Sequence, residues 1–369
     1  MELKRLSPAV REQFFALVKL GLQLGNTDKS LFKEGVDWKL LYSLACEQTI
    51  VGVAFDGIQC LPNDCKPAKP LLLQWLAHTI TIEKQNHILE TALKSLLNDF
   101  KEDGIESILL KGQGCAWNYP NYLHRQSGDI DLYVGTKQYD RSKRSVINRG
   151  LEISGESPKD FHFTYQKVMV ECHQKAAHFY NKRLNAKLQE ILQQELVVNN
   201  AMVEKDDVVI KLPNPTCNVF YLFVHFYHHF IQVGVGLRQI CDWVLLVQKE
   251  QHHLDWDKIK KYVETIEAKR AFVAFYNFAK QRFALHVINE PMWLTIYKES
   301  DVIFIENDIF NVGNMGHNSA SMRHRYFGKG LYRNLSSYFF LGYRLCHVLR
   351  FGYKEVVAYP LYKIRLSIQ

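Results

Sequence analysis

The sequence predicts an α+β protein, with a small mixed β-sheet core between N-terminal and C-terminal helical regions. Three observations carry this. Helical periodicity dominates the first hundred residues and returns after Pro215. Short apolar and β-branched runs cluster between residues 107 and 173. At 369 residues the chain is long enough for two or three cores.

The elements follow in order. Ser7-Pro8 reads as an N-cap with Pro at the first helical position, ahead of Phe14, Leu17, Val18, Leu20 and Leu22. Asp37 is expected to cap a second helix ending at Cys46. Residues 62–70 are a proline-bounded break, and residues 71–100 sustain helical periodicity up to the Asp103-Gly104 stop. Residues 107–110 form a short strand, Lys111-Gly112-Gln113-Gly114 opens a short helix, and residues 118–127 are a polar loop. A strand begins at Asp129, residues 136–149 form a helix with a basic outer face, and residues 161–165 and 168–173 form a hairpin. Beyond Pro215, Phe220, Leu222, Phe223, Phe226, Tyr227 and Phe230 mark a strongly apolar helix. Residues 237–247 make another, residues 255–283 hold two more, and residues 307–318 read as an Asn- and Gly-rich loop. The expected division is a helical region at 1–69, an α/β core at 70–212 and a helical domain with a basic aromatic tail at 213–369.

Composition narrows the class. With 47% apolar and 23% charged residues this is an ordinary globular chain. Met1-Glu2-Leu3-Lys4-Arg5 does not read as a cleavable leader. No window reaches the roughly 18 apolar residues of a spanning helix; residues 338–349 come nearest and are interrupted by Arg344 and His347. The eight cysteines lack C-x-x-C or zinc-ligand spacing and are expected to be buried, reduced thiols of a cytoplasmic protein. The net charge of +8 sits entirely beyond residue 319. There, nine basic residues (Arg323, Arg325, Lys329, Arg333, Arg344, Arg350, Lys354, Lys363, Arg365) face one acid, Glu355, while the rest of the chain balances 37 against 37. This tail is either a contact for an anionic partner or the solvated face of terminal helices.

The chemistry concentrates in Ser127-Gly128-Asp129-Ile130-Asp131-Leu132-Tyr133-Val134. In a strand, Asp129 and Asp131 share one face while Ile130 and Leu132 point to the core. Two carboxylates held that close favour a divalent cation between them, and Mg²⁺ is commonly shared between carboxylates and substrate phosphates. Pairing with Arg125 or another base is the structural alternative. In Val168-Met169-Val170-Glu171-Cys172-His173, Glu171 and His173 fall on the face opposite the apolar residues, either as a site or as an exposed surface. Lys111-Gly112 lies at a strand-to-helix turn, where free backbone N–H groups and a nearby ammonium suit a phosphate; the Walker A spacing is absent. His225, His228 and His229 crowd one helix and are expected to pack or to hydrogen-bond Asp242, and Arg238 and Asp242 stand four apart on the next.

Together, Lys111-Gly112 after a strand, Arg125, Gly128-Asp129-x-Asp131 and Glu171-x-His173 resemble the nucleotidyltransferase superfamily, whose core resembles that of DNA polymerase β. More narrowly they are similar to its uncharacterised bacterial branch, as is the helix segment Leu237 to Trp243 containing Asp242. The resemblance spans about residues 70–250. It implies a nucleotidyltransferase-like core in which Asp129, Asp131 and Glu171 are the catalytic and metal-binding acids for Mg²⁺ or Mn²⁺. Lys111, Gly112, Gln113, Arg125 and Gly128 would be nucleotide-binding, and His173, Arg238 and Asp242 accessory. One departure is clear: the superfamily usually carries Gly-Ser at the phosphate turn, and here Gly112 precedes Gln113.

The implied activity is metal-dependent transfer of a nucleoside monophosphate from an NTP to an acceptor (small molecule, protein or RNA), with release of pyrophosphate. Two alternatives stand beside it. One is a non-catalytic nucleotide-sensing or partner-binding module on the same fold. The other is a glycosyltransferase whose Asp-x-Asp motif holds Mn²⁺ and a sugar nucleotide, disfavoured because helices, not a nucleotide-binding α/β domain, precede the motif.

Overall fold

The computed structural model describes residues 6–198, 200–314, 342 and 344–368, the last six of these by backbone only. Helices α1 (Pro8–Leu22), α2 (Trp38–Glu47), α3 (Val51–Gln59) and the long α4 (Lys69–Glu102) come first. Their starts follow local chemistry. Ser7 Oγ accepts from Val10 N at 3.3 Å with Pro8 at the first helical position, and Asp37 Oδ1 accepts from Leu40 N at 3.0 Å.

The sheet follows: β1 (Ile108–Leu109), the one-turn α5 (Gln113–Ala116), β2 (Asp129–Tyr133), α6 (Gly135–Asn148), β3 (Ile153–Glu156), β4 (Asp160–Tyr165) and β5 (Val168–His173). The strand order is β1-β2-β5-β4-β3, with β2 and β5 parallel and the other pairs antiparallel. Next come α7 (Lys182–Leu196), the hairpin β6 (Ala201–Lys205) and β7 (Val208–Leu212), then α8 (Pro215–Gln232), α9 (Leu237–Glu250), α10 (Trp256–Thr265), α11 (Lys269–Phe283), α12 (Met292–Thr295) and α13 (Glu299–Asn311). A terminal helix spans Tyr353–Ile368. The sequence reading missed β3, α7 and the β6–β7 hairpin. It also took residues 307–311 for loop, whereas α13 continues through them; residues 315–318 of that expected loop lie outside the described residues.

Two cores enclose the sheet. On one face Ile130, Leu132, Phe161, Phe163, Val170 and Cys172 pack against Leu89, Leu93, Leu96 and Phe100 of α4. A larger cluster is built around α8, and it joins helices from both ends of the chain: Phe15 of α1 meets Phe278, Phe283 and Phe310 edge-on. Ile108, Leu110 and Tyr133 belong to this second cluster. The polar face of the sheet therefore opens along the seam between the two cores.

Among the described residues no helix is long and apolar enough to cross a membrane. Five cysteines are buried, Cys46 is half-buried, and Cys60 and Cys346 are exposed, a correction to the expectation that all are buried. Three basic residues of the tail have described side chains, and each pairs with an acid of the protein. Arg344 is buried against Asp308, Arg350 pairs with Asp301 at 3.2 Å, and Lys354 pairs with Glu267 at 2.5 Å. The side chains of the other six basic residues lie outside the described residues.

Candidate active site

The parallel register of β2 and β5 sets Asp131 directly beside Glu171, Tyr133 beside His173 and Asp129 beside Met169. Alternation turns Ile130, Leu132, Val170 and Cys172 to the core, so Asp129, Asp131, Glu171 and His173 share the opposite face. They line a cavity of about 440 Å³ together with Lys111, Gly112, Arg125, Gly128, Arg238 and Asp242. The expectation of an exposed Glu171–His173 face is excluded for His173, which is 3% exposed.

Asp131 is the hub. It is 1% exposed, and its Oδ1 lies 2.9 Å from Lys111 Nζ and 3.0 Å from His173 Nε2. Burial alone would raise its pKa, but Lys111 and His173 outweigh it and hold the carboxyl well below the usual range. Asp129 and Glu171 go the other way: burial and then the Asp131 charge push both upwards. One ionised acid is thus flanked by two that resist ionisation. Asp131, Glu171 and His173 bring ligand atoms within 4.8 Å of one another. Asp129 lines the cavity but is not part of that convergent trio.

Gly112 makes the turn possible, at φ 57° and ψ −121°, a conformation open to glycine. Gln113 is turned away from the cavity; it is 2% exposed and donates from Nε2 to Asn86 Oδ1 at 3.1 Å. Arg125 does not pair with the Asp129–Asp131 couple. Its Nε and Nη2 donate to the two oxygens of Asp242, each at 2.7 Å, and Nη1 donates to Ser127 Oγ at 2.7 Å. The Tyr119 hydroxyl also donates to Asp242, at 2.7 Å. The Arg238–Asp242 pairing suggested by their spacing is therefore not made; Arg238 Nη1 instead donates to the Gln126 carbonyl at 2.7 Å. Asn86 of α4 holds the same loop from below, donating to the carbonyls of Leu123 and Arg125.

His225, His228 and His229 line the far wall of the cavity rather than bonding Asp242. Burial, then Lys111 and Lys159, push His229 down to about 4, and burial holds His225 and His228 well below the usual imidazole value. Among the described residues no convergent metal-ligating group includes them.

Two residues escaped the sequence reading: Asp160 and His162 of β4, which join the same face of the sheet. The signal was present in their alternation with Phe161 and Phe163, but starting the strand at Phe161 left Asp160 outside it.

With this geometry in place the comparison with known proteins is direct. No curated protein and no solved structure matches the chain. A family model described as uncharacterised nucleotidyltransferase matches residues 34–284, a span that contains α2 to α11 and every residue of the acidic face. That match covers well over half of the chain, which therefore belongs to this family of uncharacterised nucleotidyltransferases.

Proposed function

We propose that the protein transfers a nucleoside monophosphate from an NTP to an acceptor, releasing pyrophosphate, with Mg²⁺ or Mn²⁺ held by Asp129, Asp131 and Glu171. The observation that carries this is the β2–β5 register, which seats Asp131 beside Glu171 beneath the Lys111-Gly112 turn. The donor set fits a hard dication: carboxylate oxygens lead it, and burial together with mutual repulsion raises two of the three acids, a strain that a cation relieves.

When bound, the cation would neutralise triphosphate charge and favour ionisation of the attacking hydroxyl. The chain's own groups do the rest. Lys111, held by Asp131, would donate hydrogen bonds from its ammonium to a phosphate oxygen, and Gly112 lets the phosphate approach the backbone. Glu171 would accept the proton of the acceptor hydroxyl. Arg125 and Asp242 position the loop carrying Gly128 rather than touching the reacting atoms.

The test is transfer of label from each α-labelled NTP, with Mg²⁺, into small-molecule, RNA and protein fractions of a cell extract. Wild type should label one fraction. Glu171→Gln should bind NTP yet transfer nothing. Nucleotide binding by wild type without transfer into any fraction would instead favour the non-catalytic sensing module.

A further inference from the structure

We propose that the C-terminal segment completes the cavity, with Glu355 a positioning residue that pins the loop at residues 176–181 against the terminal helix. The family match ends at residue 284, so this part of the site comes from outside it.

The pin is a carboxylate spent on backbone. Glu355 is 1% exposed, and its two oxygens accept from the backbone N–H groups of Tyr180 and Asn181 at 2.7 Å and 2.8 Å. These N–H groups stand at the start of α7, where negative charge is favoured. Among the described residues Glu355 has no ion-pair partner, and burial outweighs the two N–H bonds and pushes the carboxyl up to about 7. The same segment grips the loop twice more. Tyr359 and Tyr362 pack on the Tyr180 ring, with centroids 5.1 Å and 4.7 Å away. Phe179 packs on Tyr227 of α8, whose hydroxyl donates to the Phe351 carbonyl at 3.0 Å.

The loop carries this grip to the site. It continues β5 from His173, and Ala176, Ala177 and His178 line the cavity. Tyr180 stacks on His228, which lines the same cavity, at 5.6 Å and 18°. In the transfer reading, on which this step rests, Lys111, Gly112 and the acids take the phosphates. The pinned wall then bounds the space left for the acceptor.

Proton linkage gives the pin a signature. Opening the loop returns Glu355 to water and to its ordinary value of 4.5, so the closed form holds the proton more tightly. Closure is therefore fullest below 4.5 and weakens as pH rises to about 7. The groups around Glu355 stay uncharged over that window. Tyr180, Tyr227, Tyr359 and Tyr362 remain phenols, burial pushes His178 down to about 4, and burial holds His228 well below the usual imidazole value. Lys354 is paired with Glu267, and Lys182 and Arg183 of α7 are exposed.

The experiment follows amide hydrogen exchange of the full chain by mass spectrometry, corrected for intrinsic rates, in wild type, Glu355→Ala and Glu355→Gln. Wild-type peptides over residues 174–184 should lose protection at least about tenfold between about pH 5 and about pH 8. At about pH 5, Glu355→Ala should exchange there at least about tenfold faster, having lost two hydrogen bonds. Glu355→Gln, which keeps an accepting oxygen and cannot ionise, should show no pH step. Peptides of β2 and β5 should match wild type in both variants, which reports that they fold. Glu355→Ala should also keep Mg²⁺-dependent nucleotide affinity within about twofold while label transfer falls at least about tenfold. Flat wild-type protection, the same pH step in Glu355→Gln, equal protection in Glu355→Ala, or loosening spread through β2 and β5 would each overturn the proposal. So would unchanged transfer by Glu355→Ala. If wild type transfers nothing, the transfer reading falls while the exchange result still decides the pin.

Discussion

Asp242→Ala tests whether the Arg125–Asp242 pair is structural support for the site. Both side chains are 6% exposed, and the carboxylate takes two bonds from Arg125 and one from Tyr119. Truncation strands a buried guanidinium with only Ser127 as a side-chain partner. Breaking a buried pair from one side costs about 3–5 kcal/mol. Unfolding entropy of about 2.1 cal/mol/K per residue, taken over 369 residues, gives roughly 0.8 kcal/mol/K, so Tm should fall by about 4–6 °C. Replacing both partners, as in Arg125→Met with Asp242→Leu, removes the stranded charge and should recover at least half of the loss. Differential scanning fluorimetry and urea midpoints on Asp242→Ala, the double variant and its two single components provide the assay. A loss below about 1 kcal/mol in Asp242→Ala, or a double variant as damaged as the two singles combined, would refute the reasoning.

Asp129→Asn should raise the Tm of the metal-free protein, because it removes a carboxylate that burial and Asp131 both disfavour, while Mg²⁺-dependent nucleotide binding is lost. Gly112→Ala should cost about 1–3 kcal/mol by forcing a side chain into a positive-φ conformation, and its Cβ would stand 3.2 Å from the Asp129 carbonyl oxygen. Chemical denaturation together with nucleotide titration checks both effects. His124 supplies a pH signature away from the acids. Burial opposes its charging, but Asp56 at 2.7 Å and Glu83 at 2.8 Å outweigh this and raise its pKa from 6.5. The stability it contributes is therefore full below 6.5 and is lost as pH rises through the raised folded-state value. Over that window the Tm of wild type should fall more steeply than that of His124→Gln.

The helical ends, the Asp129 strand and the hairpin were legible because each rests on local signals: caps at Ser7 and Asp37, strict alternation in Val168–His173, and an all-round apolar face on α8. The parallel partnership of β2 and β5 was not, since strand pairing across α6 and two further strands is settled by packing rather than by either strand's own residues. Arg125 and Asp242 are 117 positions apart, so their bidentate pair could not be seen in spacing, whereas the i, i+4 match of Arg238 and Asp242 suggested a pair the fold does not make. Gln113 marked the departure from Gly-Ser, but its turn toward Asn86 depends on where α4 passes beneath the loop. Within the basic tail, Arg344 counts as a free charge in the sequence, yet the fold buries it against Asp308, 36 positions away.

The central claim, that the acidic face binds a metal–nucleotide complex, is tested most directly by the Tm of wild type and Asp131→Asn with each NTP, in Mg²⁺ and in EDTA. Nucleotide at 100 times its Kd adds about 2.7 kcal/mol, which the same entropy converts to a rise of about 3–4 °C. The account predicts that rise for wild type in Mg²⁺ alone, and none for folded Asp131→Asn. An equal rise in EDTA or in the variant, or a rise with sugar nucleotides and none with any NTP, would contradict it.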